Sequence, residues 1–182
     1  MKLGGKVLMA DNWFSANAFA ISRLMEILFG LVWAIDATFK FQSSFITQFS
    51  SLIAGSIRGQ PAWLSGWFSL WSNITMSNPA FFAYFIAVLE TLLAISLILG
   101  IARKLGYGGG FFLSLLIWTV PEGFGGPYGP SSTDIGTGII YAFVFVFLAV
   151  ISSLYGANKY TLDYYIEKKF KKWKTIAEIR RD

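Results

Sequence analysis

Five charged side chains interrupt otherwise apolar stretches, and chemistry is possible there: Arg23, Glu26, Asp36 and Lys40 in one stretch, Glu90 in the next. An ionisable group within a membrane span is expensive and normally faces the bundle interior with a partner. At about 100° per residue, Arg23, Glu26, Gly30, Trp33, Ala37 and Lys40 share one helical stripe, with Asp36 beside it. Ala83, Ala87, Glu90 and Ala94 share another. Small residues let helices approach closely, so these two faces should meet. Arg23, Glu26 and Glu90 then lie roughly 9, 13 and 16 Å from the same membrane boundary, near enough for one buried cluster. Two carboxylates in it would share one guanidinium. The cluster is either a clamp that sets helix register or a proton relay at a quinone headgroup. In the second case Glu90, Glu26, Arg23 and Asp36 are the catalytic candidates.

A second group of candidates surrounds the Gly- and Pro-rich run Trp118-Thr119-Val120-Pro121-Glu122-Gly123-Phe124-Gly125-Gly126-Pro127-Tyr128-Gly129-Pro130, which continues through Ser131 and Asp134 to Thr137. Closely spaced glycines suit a backbone nest whose amides attract anions. Helix N-termini on the same side would add positive potential. Lys40 and Arg58 are the cations on that side, and Trp118, Tyr128 and Tyr141 offer rings on which a quinone can stack. Glu122 and Asp134 oppose an anion unless the two cations neutralise them. The other reading is a plain connector with ordinary turn glycines.

These residues need elements to hold them, and composition names the class. The chain has 182 residues, 55% hydrophobic and 14% charged, against about 25% charged in a soluble domain. That excludes a soluble enzyme, a disordered chain and a disulfide-rich module. With no Cys and no His, no haem or metal is expected on this chain. Redox chemistry here requires an organic cofactor, a quinone or another subunit. Apolar runs long enough for about 30 Å of hydrocarbon fall at 18–39, 79–101, 105–120 and 135–155, the third short and ended by snorkelling Lys104 and Glu122. The expectation is an all-α integral membrane protein, a four-transmembrane-helix bundle in a single domain over 1–156. A basic cytoplasmic tail over 157–182 would form an amphipathic surface helix on anionic headgroups, with no nucleic-acid role.

Lys2, Lys6, Arg103, Lys104 and eight basic residues from Lys159 onward make twelve on one side, against Lys40 and Arg58 on the other. Both termini are therefore expected in the cytoplasm of a multi-pass plasma-membrane protein. In the first outer loop, Phe41, Phe45 and Phe49, then Trp63, Trp67 and Trp71, recur every four residues around a break at Gly59, Gln60 and Pro61. This predicts two short interfacial helices, serving as an anchor belt or as a lid over a lipid-accessible pocket. Asn73-Ile74-Thr75 is a glycosylation sequon on that side.

The run IWTVPEGFGGPYGPSSTDIGTGIIYA, with SRLMEILFGLVWAIDATFK and NPAFFAYFIAVLETLLAISLILG, resembles the DoxD-like family over roughly residues 16–155. The EGFGGPY and TDIGTG segments carry most of that likeness. The resemblance implies the larger membrane subunit of an archaeal thiosulfate:quinone oxidoreductase, paired with a smaller DoxA-type membrane subunit. Such a complex oxidises thiosulfate to tetrathionate and reduces membrane quinone, bound non-covalently. Lys40, Arg58, Trp118, Glu122, Tyr128, Asp134 and Tyr141 are then the substrate-binding candidates. The alternative is a non-catalytic accessory subunit of an archaeal terminal quinol oxidase, whose partners would be the oxidase subunits and lipid.

Overall fold

The computed structural model describes residues 13–129 and 132–179, without the side chains of Phe14, Ser15 and Tyr155. Lys2, Lys6, Pro130, Ser131, Arg180 and Arg181 lie outside the described residues. Among those described, the chain is helical with no strand: α1 Trp13–Ala16, α2 Ala18–Lys40, α3 Ser43–Ser56, α4 Ser65–Met76, α5 Pro79–Leu99, α6 Arg103–Thr119, α7 Thr137–Tyr155, α8 Leu162–Lys169 and α9 Lys174–Ala177. Three stretches, Ala18–Lys40, Pro79–Leu99 and Thr137–Leu154, are long and apolar enough to cross a membrane. The fourth expected span is α6, a helix of 17 residues.

Local signals set the ends of α5. Asn78 accepts a hydrogen bond from the Phe81 amide, Pro79 fills the first turn, and Gly100 closes the helix at φ 64°. An Asn cap, a first-turn proline and a left-handed glycine are the expected start and stop. The two stripes read from the sequence face one another. On α2, Arg23, Glu26, Gly30, Trp33 and Ala37 are buried; on α5, Ala83, Ala87, Glu90 and Ala94 are. The helices run antiparallel in close contact along their length. Gly30 is required for that approach, because a Cβ there would stand 2.8 Å from Ile98 and 2.9 Å from Leu97.

The other main pair is α6 with α7. Two glycines allow its close approach: a Cβ at Gly110 would run into the Phe145 ring, and one at Gly138 would lie 2.7 Å from the Ser114 carbonyl oxygen. Between the pairs sits an aromatic core: Phe29 meets Tyr141 at 5.3 Å and Phe145 at 5.1 Å, and Trp33 meets Phe145 at 5.8 Å. Over the Lys40 end, α3 and α4 lie on either side of the Gly59–Pro61 break, with Phe49 and Ile53 packed on Ala83 and Val120. Trp67 and Trp71 share α4, whereas Trp63 falls in a preceding 3-10 turn and is 79% exposed.

The tail departs from a single surface helix. It breaks at Phe170, whose backbone is extended, into α8, a 3-10 turn at Lys171–Trp173, and α9. Asp163 is the cause. It is wholly buried at the start of α6, where it accepts from the amides of Ala102 (2.7 Å) and Arg103 (3.1 Å), from Arg103 Nε (3.1 Å) and from Trp173 Nε1 (2.7 Å). An acid at a helix N-terminus satisfies free amides and favours the macrodipole. Closing that cap folds the tail back against the bundle.

Candidate functional site

The expected single charge cluster is split into two, at opposite ends of the α2–α5 pair. Helical side chains lean toward the N-terminus of their own helix. On antiparallel helices, Arg23 and Glu26 therefore lean one way and Glu90 the other. At the Arg23 end the guanidinium donates to Glu26 (2.6 Å), to the Leu97 carbonyl (2.7 Å), to the Ile98 carbonyl and, through Nε, to the Tyr160 carbonyl (3.0 Å). It thus caps the last turn of α5, where carbonyls have no helical partner. The second Glu26 oxygen accepts from the Tyr107 hydroxyl at 2.8 Å. The remaining void is about 20 Å³.

The Lys40 end again sets a cation against buried acid, but an ammonium replaces the guanidinium and the acid is less well satisfied. Lys40 Nζ donates to Asp36 Oδ2 at 2.7 Å and stands 3.4 Å from Glu90 Oε2. Glu90 is 0% exposed, yet neither of its oxygens has a hydrogen-bond partner among the described residues. Two cavities meet at Lys40. One, about 260 Å³, lies beneath α3 and α4 and is lined by Phe45, Phe49, Trp71, Phe82, Ile86 and Glu90. Trp71 Nε1 on its wall also lacks a partner. Leu89, Leu113 and Leu116 form a wall shared with an apolar groove of about 610 Å³ between α5 and α6. The other cavity, about 370 Å³, lies between α2, α6 and α7 and is lined by Trp33, Asp36, Ser114, Glu122, Gly138 and Tyr141.

Of the residues singled out in the sequence, Asp36, Lys40, Glu90, Glu122 and Tyr141 are thus gathered around these cavities. Trp118 sits behind the second, stacked edge-on against Phe124 and donating to the Ile135 carbonyl at 2.7 Å. Arg58 is exposed beyond α3, and Tyr128 and Asp134 are exposed, with Tyr128 bonded to the Phe124 carbonyl and Asp134 accepting from the Gly136 amide. None of these three lines either cavity.

Among the described residues the glycine loop forms no open anion nest. The amides of Gly123, Gly125 and Gly126 are spent on the carbonyls of Val120, Glu122 and Gly123. At the start of α7 both Glu122 oxygens accept from the Gly138 amide, at 2.9 and 3.2 Å. Glu122 occupies the helix N-terminus where an oxyanion was expected, and Lys104 bonds the Thr175 carbonyl at 3.1 Å. Ser114 was not singled out in the sequence, where Trp33 stood only as a member of the Arg23–Lys40 stripe and Trp71 as part of an interfacial belt or lid. The available signal for Ser114 was a lone hydroxyl in the apolar run FFLSLL.

Fold and site together define an all-helical chain of membrane-protein character, with an unsatisfied buried carboxylate facing an apolar cavity. No family model, curated protein or solved structure matches it.

Proposed function

We propose that this chain is the quinone-binding membrane subunit of an oxidoreductase. The observation that supports this best is Glu90, wholly buried, with Lys40 at 3.4 Å and no hydrogen bond among the described residues, in an apolar cavity that shares Leu89, Leu113 and Leu116 with the α5–α6 groove. A buried acid left without hydrogen bonds is strongly unfavourable unless a ligand completes it. A quinone suits the site. Its ring fits among Phe45, Phe49, Trp71 and Phe82, Trp71 Nε1 and Lys40 Nζ donate to its oxygens, and its isoprenoid tail follows the groove to the lipid. In this reading α6 is the fourth membrane span, α3 and α4 lie in the outer interface, and the twelve basic residues keep both termini in the cytoplasm.

Reduction of a quinone to quinol takes two electrons and two protons. Glu90 supplies the two protons in turn, its O–H bond breaking as one forms on a quinone oxygen, Lys40 holding the carboxylate until a second proton arrives, and the second transfer completing the quinol. On the DoxD-like resemblance, the electrons come from joining two thiosulfates into tetrathionate. Two dianions need positive potential to approach each other. Lys40 is turned inward onto Asp36, so this reading assigns thiosulfate capture to the smaller DoxA-type partner.

The test needs no electron donor. A lipid-soluble carbodiimide reacts with a protonated carboxyl, so the full chain in lipid nanodiscs should acquire one adduct at Glu90 by mass spectrometry. Decylubiquinone should protect against it. A Glu90 that is unlabelled, or labelled equally with and without quinone, overturns the proposal. Quinone protection in a native complex that makes no tetrathionate from thiosulfate would instead favour the accessory subunit of a terminal quinol oxidase.

A further inference from the structure

Across Lys40 from the Glu90 cavity, the α2–α6–α7 cavity carries two buried polar atoms without a partner among the described residues: Trp33 Nε1 and Ser114 Oγ. Trp33 is 2% and Ser114 0% exposed. A dry wall would leave both at the cost of an unmade hydrogen bond. Cavities lined by polar groups hold water, whereas wholly apolar ones stay empty. This one is far larger than a single water needs; Val32, Ile35, Phe39 and Ile117 make part of its wall apolar, and Asp36, Lys40, Glu122 and Tyr141 supply polar groups besides those two atoms. It does not suit an anion. Asp36 and Glu122 both face it, and its one cation, Lys40, is already bonded to Asp36.

We propose that this cavity is a water-filled chamber that resupplies Glu90 with protons through Asp36 and Lys40, an inference that rests on the quinone reading above. One ammonium stands between two carboxyl groups, 2.7 Å from Asp36 and 3.4 Å from Glu90. When Glu90 gives its proton to the reduced quinone, it becomes a carboxylate and draws Lys40 away from Asp36. Asp36, released, takes a proton from cavity water and passes it to Glu90, and Lys40 returns. Each cycle moves one proton from water to a quinone oxygen, two cycles complete the quinol, and the two electrons come from the reduced-sulfur donor.

Two measurements on the full chain in nanodiscs test this. With ¹⁵N-tryptophan labelling, the Trp33 indole N–H should show an exchange peak with water, and S114L, which fills the chamber, should lose it. In D36N, Lys40 is left to Glu90 alone, so carbodiimide labelling of Glu90 should fall several-fold, while K40M should raise it. A Trp33 indole without water contact in the wild type overturns the chamber. Labelling of D36N at the wild-type level overturns the coupling, and does so even if S114L fails to fold. Absence of quinone protection alongside a wet Trp33 and a poorly labelled D36N would sink the quinone reading and leave the chamber and its connection to Glu90 standing.

Discussion

Arg23 and Lys40 lie on one face of α2, seventeen residues apart by number, and each meets buried acid and an end of the bundle. Their surroundings differ in one respect. Arg23 bonds to Glu26 and to three backbone carbonyls contributed by α5 and the tail, in a void of about 20 Å³. Lys40 bonds to Asp36 but leaves the Glu90 oxygens unsatisfied between cavities of about 260 and 370 Å³. A guanidinium has five donors in a fixed fork, which is enough to close a site; an ammonium on a flexible stem can be shared between two acids. The Arg23–Glu26 pair, with one unpartnered atom beside it at Arg103 Nη2 and little space around it, behaves as a structural clamp, whereas the Lys40 end has unused hydrogen-bonding capacity facing cavities large enough for a ligand.

The comparison breaks most sharply at Arg23. R23M leaves Glu26 without its ion pair and the α5 carbonyls without a cap, which should cost roughly 3–5 kcal/mol. Unfolding in detergent would register it as the largest loss among single charge removals. The contrasting variant is E90Q. It keeps the Lys40–Asp36 pair and replaces a buried acid with a neutral amide of the same shape, so stability should stay level or rise by up to about 2 kcal/mol, while the carbodiimide adduct disappears. A loss in E90Q comparable to that of R23M would erase the distinction between the two ends.

The smallest effect sharpens the Arg23 end through the tail that closes it. Burial first, and Glu178 alongside second, push Glu167 on α8 up to about 7. A native carboxyl that holds its proton more tightly than the free group, at about 4.3, favours the docked tail at low pH. That advantage is lost as pH rises from about 4.3 through 7. Proteolysis after Lys168 and Lys169 should therefore be faster at pH 8 than at pH 6, and E167Q, locked in the neutral form, should remove the difference. Equal pH dependence in E167Q would move the titration to another group.

Much of the framework was legible because helix periodicity and capping are local. The stripe from Arg23 to Lys40 and the alanine–Glu90 stripe each needed only 3.6-residue spacing, and Asn78-Pro79 and Gly100 mark α5 within one turn of its ends. The two helices of the first loop followed from the fourfold spacing of Phe45–Phe49 and Trp67–Trp71. Trp63 did not follow, because Pro61 starts a 3-10 turn before α4 begins.

Pairings over distance were decided by tertiary structure alone. Asp163 caps α6 from 60 residues downstream, and Glu122 caps α7 across a glycine loop. No local pattern distinguishes such an acid from a solvated or catalytic one. The Glu90 partnership turned on lean: antiparallel packing sends its carboxylate toward Lys40 and away from Arg23. Composition and spacing determined that this chain is helical, apolar and charged along one inner face. Which of those charges are satisfied depends on where antiparallel helices place the tips of their side chains, and that geometry exists only once the helices have packed.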